Sequence, residues 1–331
     1  MSRDLILGIE SSCDDTAAAV VDADGRVLSS AIATQTAIHA EWGGVYPEFA
    51  SRAHVESIIP TIAQALAEAK IEGRDLKAIG VTRGPGLIGP LLVGLNTAAG
   101  LGLGWNLPVI GINHLRGHLR SADLEQKRVR YPAIVLLVSG GHTFLARMES
   151  PGAIALLGST RDDSVGEAYD KVGRMLGLEY PGGPKVDRLA ATGAASFPFP
   201  RPLLGDGLEF SFSGLKSAVA RQLERAPDAP PADIAASFVE SCMTVLLTKC
   251  RRALTRFPSA ALVIVGGVAA SPQLRAGAKA LSDELGVELC LPPLRWSTDN
   301  AAMIALATWD YLPLADPPRA VPQLNLAIGD Y

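Results

Sequence analysis

The sequence predicts an α/β protein made of two βββαβα units, one in each half of the chain. Three observations carry this. "LILGIESSCDDTAAAVVD" (5–22) is a strand, a turn of small and acidic residues, and a returning strand, and "AIVLLVSGGHTFLARMES" (133–150) restates it with a glycine-rich turn. "AIGVTRGPGLIGPLLVGLNTA" (78–98) is a strand, a Gly/Pro turn and a helix, and "ALVIVGGVAASPQLRAGAKAL" (261–281) restates that. The 331 residues, 48% hydrophobic and 19% charged, are enough for two cores of ordinary globular composition.

In order, "LILGIE" is a buried strand, "TAAAVVDA" returns beside it, "ADG" turns, and "RVLSSAIAT" gives the third strand. Residues 48 to 70 have helical periodicity, with Ile58, Ile59, Ile62, Leu66 and Ala69 on one face. "KAIGVTRGPG" and "PVIGINHL" are strands on either side of a helix at "LIGPLLVGLNTAAGLGLG", and "LRGHLRSADL" is helical. In the second half a helix capped near Asp163-Ser164 carries Glu167, Asp170 and Lys171, a Pro-Gly-Gly-Pro turn follows, and Asp187 is expected to open the next helix. "SFPFPRPLLGDGLEFSFSG" is irregular. A helix opens near Ser271-Pro272, and the last one, "DNAAMIALATWDYL", is expected to return to the first domain. The domains read as 1–113 with 300–331, and 114–299 with an inserted helical and loop segment at about 160–230.

Such a pair of RNase H-like βββαβα domains is the actin-like, Hsp70-like ATPase arrangement. In it, two hairpin turns, here "IESSCDDT" and "VSGGHT", grip phosphates in a cleft between the domains. "VGGVAAS" is neither GxGxxG nor a Walker loop, and the reading gives it the nucleoside.

Composition narrows the function. The net charge of −4 confines any RNA binding to a local patch, with "EQKRVR" (Lys127, Arg128, Arg130) the candidate, or to help from a partner. Cys13, Cys242, Cys250 and Cys290 form no CxxC pair, which fits a reduced, cytoplasmic protein. The N-terminal stretch lacks the marks of a signal peptide. The most apolar segment, 87–105, holds glycines and Asn96 and reads as a buried helix of the core.

Chemistry concentrates in a few places. "NHLRGH" sets His114 and His118 one helical turn apart, a spacing that suits two imidazoles on one metal ion; the alternative is a pair of surface histidines. A third ligand must come from elsewhere. Asp299 in "RWSTDNAAM" offers a carboxylate, or else only a helix cap. Two histidines and one carboxylate leave positions open for a substrate oxygen. Glu10, Asp14 and Asp15 crowd one turn, which is costly unless they bind something or stay solvated. Cys13 reads as a packing residue, with no cation near it in sequence to activate it.

"GIESSCDDT", "NHLRGH", "LLVSGGHT", "DDSVGEAYDKVGRMLGLEYPGGP", "FSFSGLKSA", "VGGVAAS" and "WSTDNAAM", in this order and spread over the whole chain, resemble the tRNA N6-adenosine threonylcarbamoyltransferase family. The resemblance implies transfer of a threonylcarbamoyl group from L-threonylcarbamoyladenylate to N6 of the adenosine 3′ of the anticodon (position 37), in tRNAs reading codons that begin with A, with release of AMP. It implies one divalent metal per subunit, usually iron with zinc the alternative, held by His114, His118 and Asp299. It makes Leu137, Val138, Ser139, Gly140 and Gly141 the adenylate-binding turn, Asp170, Gly183 and Asp187 the nucleoside contacts, and Asp14 the acidic residue that assists the chemistry. Its partners would be tRNA, a paralogous actin-like protein and a small P-loop ATPase, with no membrane. Ser271 stands where relatives often have Asn, and Asp15 where they have Glu, so contacts at both positions are expected to be rearranged or shorter. The rival readings are a metalloprotease, which HxxxH without the following Glu disfavours, and an actin-superfamily small-molecule kinase.

Overall fold

Two mixed five-stranded sheets with the same strand order form the framework of the computed structural model, which describes residues 4–40, 42, 44–205 and 207–330. The first contains β1 (Leu5–Glu10), β2 (Asp15–Asp22), β3 (Val27–Thr34), β4 (Ala78–Gly84) and β5 (Val109–Asn113), in the order β3-β2-β1-β4-β5. The second contains β6 (Ala133–Val138), β7 (Thr143–Ser150), β8 (Ala153–Ser159), β9 (Ala261–Val265) and β10 (Glu288–Cys290), in the order β10-β9-β6-β7-β8. In each sheet the first three strands in sequence pair antiparallel and the last two join in parallel. The duplication read from the sequence is therefore a duplication of topology. Of the stretches quoted above, Met1–Arg3 of the N-terminus and Asp206 of the irregular segment lie outside the described residues.

The helices are α1 (Thr36–Ala40), α2 (Pro47–Ala69), α3 (Ile88–Trp105), α4 (His114–Ser121), α5 (Val165–Met175), α6 (Gly183–Ala190), α7 (Ser213–Arg225), α8 (Pro231–Arg256), α9 (Pro272–Leu285) and α10 (Ala301–Thr308). The chain divides into one compact unit of Met1–Arg128 with Asp299–Tyr331 and another of Val129–Thr298. This corrects the expected break after residue 113. The helix that follows β5 stays with the first unit because α4 packs on α10 and β5, and Asp299 goes with the helix it precedes.

In the first unit β1 is central and buried along its whole length, as a strand covered on both faces must be. One face meets α2 and α3 through Leu7, Ile9, Ile58, Ile62, Val81, Leu91 and Leu95. The other meets α10, and Gly8 is required there: a Cβ would lie 2.2 Å from the Ala301 carbonyl oxygen. The last helix thus returns to the first sheet, as expected.

Two readings change. Ile59 is 56% exposed, while Ile58, Ile62 and Ala65 are buried; the buried stripe of α2 is narrower than the hydrophobic run. The helix at 88–105 is long and apolar enough to cross a membrane by length and composition, but it is not buried all round. Leu91, Leu95 and Ala98 face the core and Leu103 is 88% exposed, so it lies across the unit as an amphipathic layer. In the second unit β6 and β9 pack with α5, α6, α8 and α9 around Tyr169, Phe210, Phe212, Phe238 and Leu246, and the described residues of 194–209 carry no helix or strand.

Candidate functional site

In the first unit the site grows from the end of β5. Asn113 caps α4 by accepting the Leu115 amide at 2.9 Å, so His114 is the first helical residue and His118 follows one turn later. The rings meet edge to face, with centroids 4.7 Å apart. Asp299, just before α10, brings Oδ1 to 3.1 Å from His118 Nε2 and 3.6 Å from His114 Nε2. One ligand atom from each of the three lies within 4.8 Å of the others, although 181 residues separate Asp299 from His118 (299 less 118). His118 is fully buried and His114 is 8% exposed, so the reading as surface histidines fails. The helix-cap reading of Asp299 fails too, because Asn300 caps α10 through the Met303 amide at 2.9 Å.

Burial draws the His114 imidazole down, but the carboxylates of Glu10 and Asp299 outweigh it and push the ring up to about 9. Glu10 answers in the opposite sense: burial raises it, and the His114 charge and hydrogen bond carry it below the ordinary carboxylate range. Asp14, in the turn after β1, is raised by burial and by the Asp299 charge. Asp15 is pushed up to about 6 by burial and by Asp14. Burial and the carboxylates of Asp14 and Asp299 push the Cys13 thiol far up, which agrees with a packing role.

The sequence had not singled out what braces this acidic turn. His54 Nε2 lies 3.0 Å from the Cys13 carbonyl oxygen, and its Nδ1 lies 2.7 Å from the Thr16 hydroxyl. It is a buried histidine in the middle of α2, and its only sequence signal was a polar residue on the apolar stripe.

In the second unit the residues singled out gather at the carboxyl ends of β6 and β9, where parallel strands commonly present ligands. Leu137 and Val138 are buried strand residues. Ser139, Gly140 and Gly141 form the turn, closed by the Ser139 amide donating to the His142 carbonyl at 2.8 Å. Space lies over the α-carbons of Gly140 and Gly141, and the Ser164 hydroxyl donates to Gly140 O at 2.5 Å. Gly266, at φ +93, must be glycine, since a Cβ would lie 2.4 Å from the Val138 carbonyl oxygen. Asp170 accepts the Gly182 and Gly183 amides at 2.8 and 3.3 Å and so holds the Pro-Gly-Gly turn from α5. Asp187 does not open its helix; it lies inside α6, with its carboxyl raised by burial. Ser271 is 4% exposed and caps α9 through the Leu274 amide at 3.5 Å. Asp162 had not been singled out either. It accepts the Phe212 and Ser213 amides at 2.8 and 3.2 Å and fastens "FSFSG" beside the start of α5.

A family model described as tRNA N6-adenosine threonylcarbamoyltransferase matches residues 26–306. A relative of that name from Trichlorobacter lovleyi is 49% identical over 315 residues, covering 93% of this chain and 92% of its own. One from Bacillus subtilis is 46% identical over 308 residues, covering 91% and 89%. Among solved structures, component A of (R)-2-hydroxyglutaryl-CoA dehydratase from Acidaminococcus fermentans aligns over 93% of this chain and 98% of its own, with a TM-score of 0.57 and 16% identity. Full-length HypF aligns over 94% of this chain and 47% of its own, with a TM-score of 0.61 and 12% identity. At these identities the likeness speaks to the fold alone.

Proposed function

Since this chain belongs to the tRNA N6-adenosine threonylcarbamoyltransferase family, and is an acyltransferase of actin-like fold, we propose that it moves the threonylcarbamoyl group of L-threonylcarbamoyladenylate onto N6 of adenosine 37 in tRNAs that read codons beginning with A. The observation that carries this is a family match spanning nearly the whole chain, together with a His-His-carboxylate cluster drawn from distant segments.

His114, His118 and Asp299 hold the divalent metal in this reading, iron first and zinc second. The donor set fits: two imidazoles and a carboxylate converge, and among the described residues both ring nitrogens of His118 are buried without a hydrogen bond, Nε2 facing Asp299 at 3.1 Å. Bound there, a divalent ion supplies charge neutralisation to a phosphate or carbamoyl oxygen.

The chain's own groups do the rest. The adenylate's nucleoside is assigned to Asp170, Gly183, Asp187 and Ser271, and its phosphate to the turn from Leu137 to Gly141, whose amides stabilise negative charge on the leaving group. The adenine amine attacks the carbamoyl carbon, the bond from that carbon to the phosphate oxygen breaks, and AMP departs. The amine is weak because its lone pair is delocalised into the ring, so a base that takes its proton assists. Asp14 is the candidate, with its carboxyl raised by burial and by the Asp299 charge. A base in an anticodon loop is unpaired and can be splayed out without breaking a duplex. The partners are tRNA, a paralogous actin-like protein and a small P-loop ATPase, and the compartment is the cytoplasm. The four free cysteines agree with a reducing setting.

The test is nucleoside mass spectrometry of tRNA incubated with the metal-loaded protein, the adenylate and the two partners, beside tRNA from depleted cells. Threonylcarbamoyladenosine should appear in the first and vanish from the second. Its persistence after depletion would overturn the reading.

A further inference from the structure

Glu10 is the last residue of β1, at 1% exposure, and no Lys or Arg among the described residues pairs with it. Its two oxygens are held from three directions. Oε1 accepts the Ser12 amide at 2.6 Å; Oε2 accepts the Thr82 hydroxyl, from β4, at 2.6 Å; and Oε2 lies 2.9 Å from Nδ1 of His114. Thus strand, turn and neighbouring strand fix the carboxylate before the histidine meets it.

A carboxylate with no proton can only accept, so the nitrogen facing it carries the hydrogen. His114 therefore keeps N–H at Nδ1, which leaves Nε2 on the side of Asp299, 3.6 Å away. That is the orientation a metal ligand requires, with the second ring nitrogen engaged by a carboxylate behind it. His118 lacks this support: its Nδ1 is buried without a hydrogen-bond partner among the described residues.

We propose that Glu10 is a positioning residue for metal capture, a carboxylate that locks His114 with Nε2 presented to the site shared with His118 and Asp299. The inference rests on the metal reading above but adds a residue that is not itself a ligand, and it makes the two histidines unequal. Glu10→Gln has nearly the same volume. It can offer its carbonyl oxygen to His114 and Thr82 only by turning its NH2 group toward the Ser12 amide, donor against donor. Turned the other way, its NH2 group donates to Nδ1, and the ring hydrogen then moves to Nε2, the nitrogen a metal needs bare.

The test uses the full chain stripped of metal and titrated with Zn²⁺ against a competing chelator. It covers wild type, Glu10→Gln, Thr82→Val and His114→Ala, with Co²⁺ absorption spectra and thermal melts on each. Glu10→Gln should lower Zn²⁺ affinity by about 10- to 100-fold and alter the Co²⁺ spectrum, while still melting cooperatively. Thr82→Val loosens the same carboxylate but leaves the Glu10–His114 contact, and its affinity should stay near wild type. Equal losses in the two variants would make Glu10 a mere brace of the turn and overturn the proposal, as would wild-type affinity in Glu10→Gln while His114→Ala loses zinc. If His114→Ala binds zinc like wild type, the metal reading fails, and the proposal with it.

Discussion

Asn300 caps α10 by accepting the Met303 amide at 2.9 Å, which leaves the preceding residue, Asp299, to face His118 at 3.1 Å. The two neighbours therefore have separable duties. Asn300→Ala should cost about 1 kcal/mol of stability, and Asp299→Ala less. Asp299→Ala should abolish stoichiometric metal and transfer activity, measured by elemental analysis and a transfer assay. Full metal content in Asp299→Ala, or a larger stability loss there than in Asn300→Ala, would reverse the assignment.

Asp15 gives a pH-dependent stability. Its folded-state carboxyl sits at about 6, above the ordinary value of 3.8, so the folded chain binds the extra proton between those values. The cost of burying the ionised form is absent below about pH 4, grows as pH rises to about 6, and is complete above that. Asp15→Asn should thus stabilise the protein at pH 7.5, on the order of 2 kcal/mol, with the gain shrinking toward pH 4.5. Urea denaturation at three pH values checks this; a gain that does not vary with pH would refute the sign.

Ser271 is a helix cap as well as an assigned nucleoside contact. Asn caps equally well, so Ser271→Asn should keep its melting temperature and bind the adenylate as tightly or more tightly, whereas Ser271→Ala should lose about 1 kcal/mol of stability. Calorimetry with the adenylate separates the two effects. A large loss of affinity in Ser271→Asn would mean that the pocket has adapted to serine.

Arg83, at the end of β4, is 5% exposed, and its Nε and Nη2 have no hydrogen-bond partner among the described residues. It lines a pocket of about 410 Å³ with Asp316, Arg319 and Gln323, and burial holds its guanidinium below the usual arginine range. A buried cation whose N–H groups lack hydrogen bonds is destabilising where desolvation outweighs the attraction of its neighbours, here Tyr311 and Asp330. Arg83→Met keeps the apolar stem and removes the charge, so its melting temperature should rise. A fall would mean that the guanidinium has a favourable partner in solution.

The basic stretch at 127–130 is less available than its sequence implied. Arg128 donates to the Ala23 carbonyl at 2.6 Å, while Arg130, with its side chain 65% exposed, is 3.9 Å from Glu288. Lys127→Ala with Arg130→Ala should weaken tRNA binding and reduce the salt slope by about 2, and Arg128→Ala should do less. Filter binding across a salt series decides; unchanged slopes would remove the patch from the interface.

The amino-acid sequence by itself determined the architecture. Strand patterning, glycine turns and their repetition are local signals, read over 5 to 20 residues; the first sheet holds the five strands read from them, whereas in the second β8 and β10 had not been singled out. The helical spacing of His114 and His118 was legible for the same reason, and the family motifs added Asp299. Other features depended on packing between segments far apart in the chain, and these only the tertiary structure decided. Periodicity could not show that Ile59 faces outward, because α2 turns a narrower stripe to the sheet than its apolar residues cover. No local rule placed the unit boundary after α4, which is held by α10 from the other end of the chain. Nor could spacing show that Glu10 would stand behind His114, or that Asn300 would take the cap and leave Asp299 beside the histidines. Each of these is a choice among chemically equivalent residues, made by whichever side chain the assembled backbone brings within hydrogen-bonding distance.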